Sequence, residues 1–386
     1  WSLEEDGVET QNGTIADLDV PAQQSRTYTI PYDRSKITGK EVFLNIDFRL
    51  KNAEPLMTAG QVVAYAQLPV VTKQACEGDC SKMLAEGHGK KKMKLAAKKD
   101  NVIAVTTPNL SFKLDRTTGL ISEYAYNGKS MLGEGGTLKP NFWRAPTDND
   151  MGAGLQKKFK VWKNPQMNLK NIDVKKDKKA NTVTIVTSFD MPEVQGQMDI
   201  TYLVFANTGA VKVTEDFKAT EGAKVSDMFR FGMLLQMPYT MEKSNYYGRG
   251  PIENYSDRKD CMRIGVYTDD ADNQYFPYIR PQESGTKSDI RWWKQTDATG
   301  LGLQVKSCAP FYASALHFDT EELDDGDEKE QRHSFDLKKS KFTNLFLDAA
   351  HMGVGGENSW GAWPLEKYRV HYGNKTFNFV LIPQTK

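Results

Sequence analysis

Cysteine and histidine are scarce in this 386-residue chain, with four of one and five of the other. Four cysteines over such a length do not make a disulfide framework. Cys76 and Cys80 are separated by three residues, but no second Cys or His pair follows at zinc-finger spacing, and His88, His317, His333, His351 and His371 are scattered. The thiols therefore read as structural or incidental, and no metal site is expected. Long apolar runs are missing too: nowhere do about 18 apolar residues follow one another, the length a helix needs to cross a bilayer. Lys plus Arg number 51 against 50 for Asp plus Glu, a balance that argues against nucleic acid as the main ligand. Neither a Gly-x-Ser-x-Gly elbow nor a phosphate-binding Gly-x-x-x-x-Gly-Lys-Ser/Thr loop occurs. The "GVGG" run at 353–356 departs from dinucleotide spacing, because Asn358 stands where the last glycine is needed. Helical periodicity is nearly absent. The amino terminus, "WSLEEDGVET", has neither the basic nor the apolar region of a signal peptide and no initiator methionine, so any targeting signal is expected upstream and the compartment is not readable.

What is present is strand pattern. At this length the prior favours two domains. "TYTIPY" (Thr27 to Tyr32), "EVFLNIDFRL" (Glu41 to Leu50) and "QVVAYAQLPV" (Gln61 to Val70) alternate apolar and polar positions between Gly, Pro and Asn turns. Residues 1–70 thus read as a β-sandwich short of the roughly seven strands and 100 residues of an immunoglobulin-like unit. Residues 71–100, with "EGHGKKKMKLAAKKD", are lysine-rich without strand alternation and read as a solvated linker. From 101 to 386 strands follow one another: "FKLDRTTGLISEYAYNG" as a hairpin turning at Thr118-Gly119, then "NTVTIVTSF" with Val183, Ile185 and Phe189 alternating, "MDITYLVF", "AVKVTEDF", "GLGLQV" and "TFNFVLI". Without a repeat of fixed length, this predicts one large antiparallel sandwich rather than a propeller. The fold class is all-β.

Four aromatic and arginine-bearing islands interrupt the strands: "NFWRAPTDNDMG" (Asn141 to Gly152), "YYGRGPIENYSDR" (Tyr246 to Arg258), "YIRPQESGTKSDIRWW" (Tyr278 to Trp293) and "HMGVGGENSW" (His351 to Trp360). Rings beside amide, carboxylate and guanidinium groups suit sugar recognition, in which an aromatic face stacks on a pyranose and planar polar groups bond its hydroxyls. Such residues equally tie long loops to a sandwich. Asp148 and Asp150 could hold a cation on a turn or join an ion-pair network with Arg144. Nothing singles out two of the many carboxylates as a catalytic pair.

The islands, in this order, resemble the carboxy-terminal part of the bacterial family 2 glycoside hydrolases, the β-galactosidases, most closely at "RAPTDND", "YYGRGPIENYSDR", "RPQESG" and "HMGVGGENSWG". The resemblance implies a truncated immunoglobulin-like sandwich followed by a galactose mutarotase-like supersandwich. It implies no catalytic residue in this chain: the acid/base and nucleophile glutamates of a retaining mechanism come from an upstream (β/α)₈ barrel of the same polypeptide. It also implies that Trp360 stacks on the sugar of a β-galactoside, with Glu357, Asn358 and His351 beside it and Arg144, Asp148 and Asp150 in support. Glu357-Asn358 departs from the acidic pair often found at that place, and Trp363 is an added indole with no assigned role. The Mg and Na ions common in the family would bind mostly outside this region. The resemblance leaves bacterial periplasm and cytoplasm both open as the compartment, an oligomer stays open, and no nucleic-acid or membrane partner is implied. A stand-alone carbohydrate-binding module and an aldose 1-epimerase-like enzyme are the alternative functions, since fold does not determine function.

Overall fold

The computed structural model describes residues 1–72, 91–97, 101–358 and 361–385. It divides into two compact units, Trp1–Ala75 with Arg263–Val266, and Cys76–Met262 with Tyr267–Lys386. The first unit is one antiparallel sheet of four strands in the order Val8–Asn12, Ser2–Glu5, Val42–Arg49, Val62–Val71. Leu3, Val42 and Leu44 form its small core, with Ile30, Tyr32 and Ile46 packed against them. "TYTIPY" contributes Ile30 and Tyr32 without forming a strand; Pro31 removes a backbone donor from within the run. The first two strands were not foreseen. Their turn is Asp6-Gly7, both residues at positive φ, which is the backbone that a two-residue hairpin requires. Phe48, Val63, Tyr65 and Leu68 stay exposed, so among the described residues this unit is a single layer.

The second unit is a sandwich of a twelve-stranded and a five-stranded antiparallel sheet. Residues from both sheets share one continuous core, among them Ile103, Val105, Phe112 and Leu114 from the smaller sheet and Val183, Ile185, Tyr202 and Val213 from the larger. The hairpin at Thr118-Gly119 forms, with Leu110–Asp115 paired to Ile121–Tyr126 and Gly119 at φ +70. Val183, Ile185 and Phe189 face inward along Thr182–Met191, because alternate residues of a strand share one face. Inside the stretch read as a linker, Lys94–Ala96 is the outer strand of the smaller sheet. Met93, Leu95 and Ala97 alternate with their neighbours and pack on the core, a short period-2 signal hidden among lysines. Cys308 is disulfide-bonded and Cys261 is exposed, while Cys76 and Cys80 lie outside the described residues. Cys308 thus has a covalent structural role that its isolation in the sequence did not reveal.

One polar group sits inside the large sheet at a cost. Glu215, on Val211–Ala219, is fully buried, and neither carboxyl oxygen has a hydrogen-bond partner among the described residues. Burial, and secondarily Asp348, pushes its pKa well above the ordinary 4.5, so the folded chain keeps this proton. The unfolded chain loses it near the ordinary value. Stability from this group is therefore full below pH 4.5 and falls as pH rises from there toward the folded pKa. Glu215→Gln should remove that loss. Its thermal midpoint should gain on the wild type as pH rises above the ordinary 4.5, and a difference that stays constant with pH would show that the Glu215 carboxyl titrates alike in the folded and unfolded chain.

Candidate functional site

The four islands converge on one structure: a loop leaving the end of Phe342–His351, held by groups from the first two, with the third fastened to the first. Arg144 is completely buried. Its Nε and Nη2 donate to the two carboxylate oxygens of Asp150 at 3.0 and 2.8 Å. Its Nη1 donates to the Met352 carbonyl at 2.7 Å and Nη2 also to that of Gly353 at 2.9 Å. Asp150 is fixed as well by the helix it belongs to, Asp148–Ala153. Thr147 caps that helix, its backbone N–H donating to Asp150 Oδ2 and its hydroxyl accepting from the Asp150 N–H, a reciprocal box that satisfies two donors a helix start leaves free. The same helix supplies Asn149, whose Nδ2 donates to the Val354 carbonyl at 3.0 Å.

The second island adds Asp257, which accepts from the backbone N–H groups of Val354 and Gly355. The third adds Arg280 and Gln282, which donate to Asp148 at 3.1 and 3.0 Å. Against the opposing effect of burial, these two groups hold the Asp148 carboxyl below its usual pKa. Glu283 joins the islands by backbone, donating to the Ala145 carbonyl at 3.0 Å, and its carboxylate lies 3.6 Å from Arg230. Arg230 makes a bidentate pair with Asp348 at 3.0 and 2.5 Å. A bulge between Phe231 and Gly232 shifts that strand against Asp348, at a glycine where a Cβ would stand 2.1 Å from the Leu347 carbonyl. Burial raises the Asp348 pKa to about 6, against the pull of Arg230.

These contacts bear on the two readings of the islands. Most of their charged groups are spent on one another and on backbone. Asp148 and Asp150 serve ion pairs and a helix cap, and among the described residues no cluster of three or more His, Cys, Asp or Glu side chains could hold a metal. His351 is enclosed, 2 % exposed, beneath Tyr255 and Tyr312, whose ring centroids lie 5.4 and 6.0 Å away. Burial first, then Arg230 and Arg144, drives its pKa well down, so the ring is neutral. Its place is under the loop, not on a ligand-facing surface, which also deprives an epimerase reading of its accessible histidine. Glu357 and Asn358 are exposed on the loop. Ser359 and Trp360 lie outside the described residues. Past them, Ala362 donates its N–H to Asn358 Oδ1 at 3.3 Å, and Gly361, at φ +81, comes so near the helix that a Cβ there would be 2.6 Å from the Gly152 carbonyl. Trp363 gains a role: it packs edge-on against Phe159 with Lys158 and Arg369 over its ring, anchoring the returning chain. A cavity of about 230 Å³ borders Asn141 and Trp143 but no residue of the loop, and its Trp143, Lys163 and Asp324 side chains bond one another.

A profile described as "Beta galactosidase small chain" matches residues 106–381, and one described as "Beta-galactosidase, domain 4" matches residues 1–71. The chain belongs to the β-galactosidase small-chain family. It is 26% identical over 386 residues to a β-galactosidase of Priestia megaterium, covering 99% of this chain and 36% of that protein. It is 28% identical over 362 residues to one of Lactobacillus delbrueckii subsp. bulgaricus, covering 93% and 34%. The chain thus spans about a third of the length of these curated relatives. A solved putative aldose 1-epimerase of Escherichia coli K12 is 8% identical with a TM-score of 0.38, over 76% of this chain and 100% of that one, a likeness too slight to bear on chemistry.

Sequence reasoning had picked out Arg144, Asp148 and Asp150 but not Asp257, Asn149 or Glu283, since nothing in a single sequence marks one polar residue of an island above its neighbours. Removing the central cation tests the scaffold. Arg144→Ala leaves Asp150 buried and two carbonyls without donors, and breaking such a pair costs about 3–5 kcal/mol. Arg144→Lys should also destabilise, because an ammonium cannot reproduce the planar fork. Urea unfolding measures both, and a loss below about 1 kcal/mol for the alanine variant would show that the pair is not what ties the islands together.

Proposed function

We propose that the chain is the non-catalytic portion of a β-galactosidase that hydrolyses terminal β-D-galactosides with retention, and that its 351–360 loop carries Trp360 to the sugar. The two catalytic carboxyls, which such a mechanism needs about 5–5.5 Å apart, come from a barrel elsewhere in the polypeptide. Mg or Na ions of the assembled enzyme are held mostly outside this region, and Asp148 and Asp150 spend their oxygens on Arg280, Gln282, Arg144 and the helix cap.

The observation that carries this reading is the contrast within the loop. Residues 352–355 are bonded by side chains of two other islands, whereas Glu357 and Asn358 remain exposed. A segment with so well-held a base and so open a tip suits delivery of a side chain to a ligand, because contacts made on a preorganised support lose less to ordering.

Two outcomes are expected. The chain by itself should show no turnover of a chromogenic β-galactoside, as binding surface does not replace positioned acid/base and nucleophilic groups; saturable turnover by the purified chain would overturn the non-catalytic assignment. In the full-length enzyme, Trp360→Ala should weaken substrate and inhibitor binding by about 1–3 kcal/mol, roughly tenfold for each 1.4 kcal/mol, while leaving the thermal midpoint nearly unchanged. A large fall in midpoint with unaltered affinity would instead make Trp360 a core residue.

A further inference from the structure

The loop's backbone is bonded from two sides that differ in chemistry. Arg144 and Asn149 take its carbonyls at 352, 353 and 354. Asp257 takes the N–H groups of two successive residues, Val354 on Oδ1 at 3.0 Å and Gly355 on Oδ2 at 2.8 Å. Successive N–H groups that point one way form an anion-binding concavity, and a carboxylate is its natural occupant. Two further features suit this pairing. Gly353 leaves the approach open: a Cβ there would sit 2.4 Å from Asp257 Oδ2. Asp257 is itself presented rigidly, at the tip of a two-residue turn closed by Tyr255 and Arg258, which exchange backbone bonds of 3.2 and 2.9 Å. Tyr255 roots that turn, being 1 % exposed. Immediately beyond Gly355 the chain enters the exposed tip, Gly356 to Asn358.

We infer that Asp257 is a positioning residue: by bonding the amides of Val354 and Gly355 just before the tip, it sets the direction in which the exposed tip, Gly356 to Asn358, leaves the domain. It touches no substrate and acts through the loop. Its effect on catalysis rests on the sugar-contact reading above; its effect on the loop does not.

Asp257→Asn is the informative change, because it is isosteric and each carboxylate oxygen has its own donor. Whichever way the amide turns, one NH₂ group faces an N–H. In the chain itself, hydrogen exchange at Val354 and Gly355 should quicken about tenfold or more, with exchange along Phe342–His351 unchanged. Gly353→Ala, which pushes the carboxylate away from the loop side, should do the same and serves if the first variant folds poorly. Unchanged exchange at 354 and 355 in both variants would overturn the assignment. In the full-length enzyme, Asp257→Asn should raise KM several-fold at constant kcat, and should add nothing in a Trp360→Ala background. Faster exchange with unaltered KM, where Trp360→Ala alone does raise KM, would overturn the role in substrate capture. If Trp360→Ala leaves KM unaltered, the sugar-contact reading fails, while the exchange result still decides what Asp257 does.

Discussion

The pairing of Arg144 with Asp150 is the constraint on which the rest of the site depends. A guanidinium wholly removed from water is tolerable only when its donors are met, and here four are: two by Asp150 and two by carbonyls of the 351–358 loop. The carboxylate needs the same care, which the Thr147 cap supplies. One buried charge pair therefore fastens a helix start to a strand end more than 200 residues away in sequence. A buried ion pair of this kind contributes little net stability relative to apolar packing, but it disfavours arrangements that leave either charge alone. That makes it suited to imposing one loop geometry.

The sandwich beneath supplies the dry, ordered surroundings in which those polar contacts matter. Its core runs through both sheets and is rich in rings, with Phe112 against Tyr202 and Phe142 against Trp162. On two neighbouring interior strands the large sheet carries a second buried charged group, Arg230 with Asp348, and Glu283 beside it, Arg230 being the cross-strand partner of His351. The neutral, enclosed His351 thus marks a boundary. Past it, residues 352–355 are bonded by Arg144, Asn149 and Asp257, and Gly356 to Asn358 are exposed.

This division of labour explains why aromatic, arginine-bearing islands can look like a ligand site when read one by one. Arg144, Arg280, Asn149 and Asp257 have the chemistry that would grip a sugar, yet their partners are carboxylates and backbone of the same domain. A saccharide hydroxyl and a peptide carbonyl ask for the same donor. Only the three-dimensional partner tells which is served, and here the partners of these four side chains belong to the domain itself.

The all-β class and several strands of the larger unit were legible from alternation alone, since a half-buried strand imposes a period of two on its residues; Thr182–Met191 and Gly196–Phe205 are clear instances. The order of the islands was enough to establish the family resemblance. Other strands escaped: short ones such as Ser2–Glu5, Val8–Asn12 and Lys94–Ala96, because a few residues of alternation do not stand out from charged neighbours, and long ones such as Asn168–Asp177, largely exposed, and Arg230–Pro238, buried on both faces, because neither has a clean period of two. Tertiary structure alone decided that the four islands meet, that Asp150 faces Arg144 while Asp148 faces Arg280, that His351 is enclosed and that Asp257 reaches the loop. The physical reason is common to all four: hydrogen bonds and ion pairs act over about 3 Å of space, and nothing in a linear sequence records which residues 100 or 200 positions apart come that close.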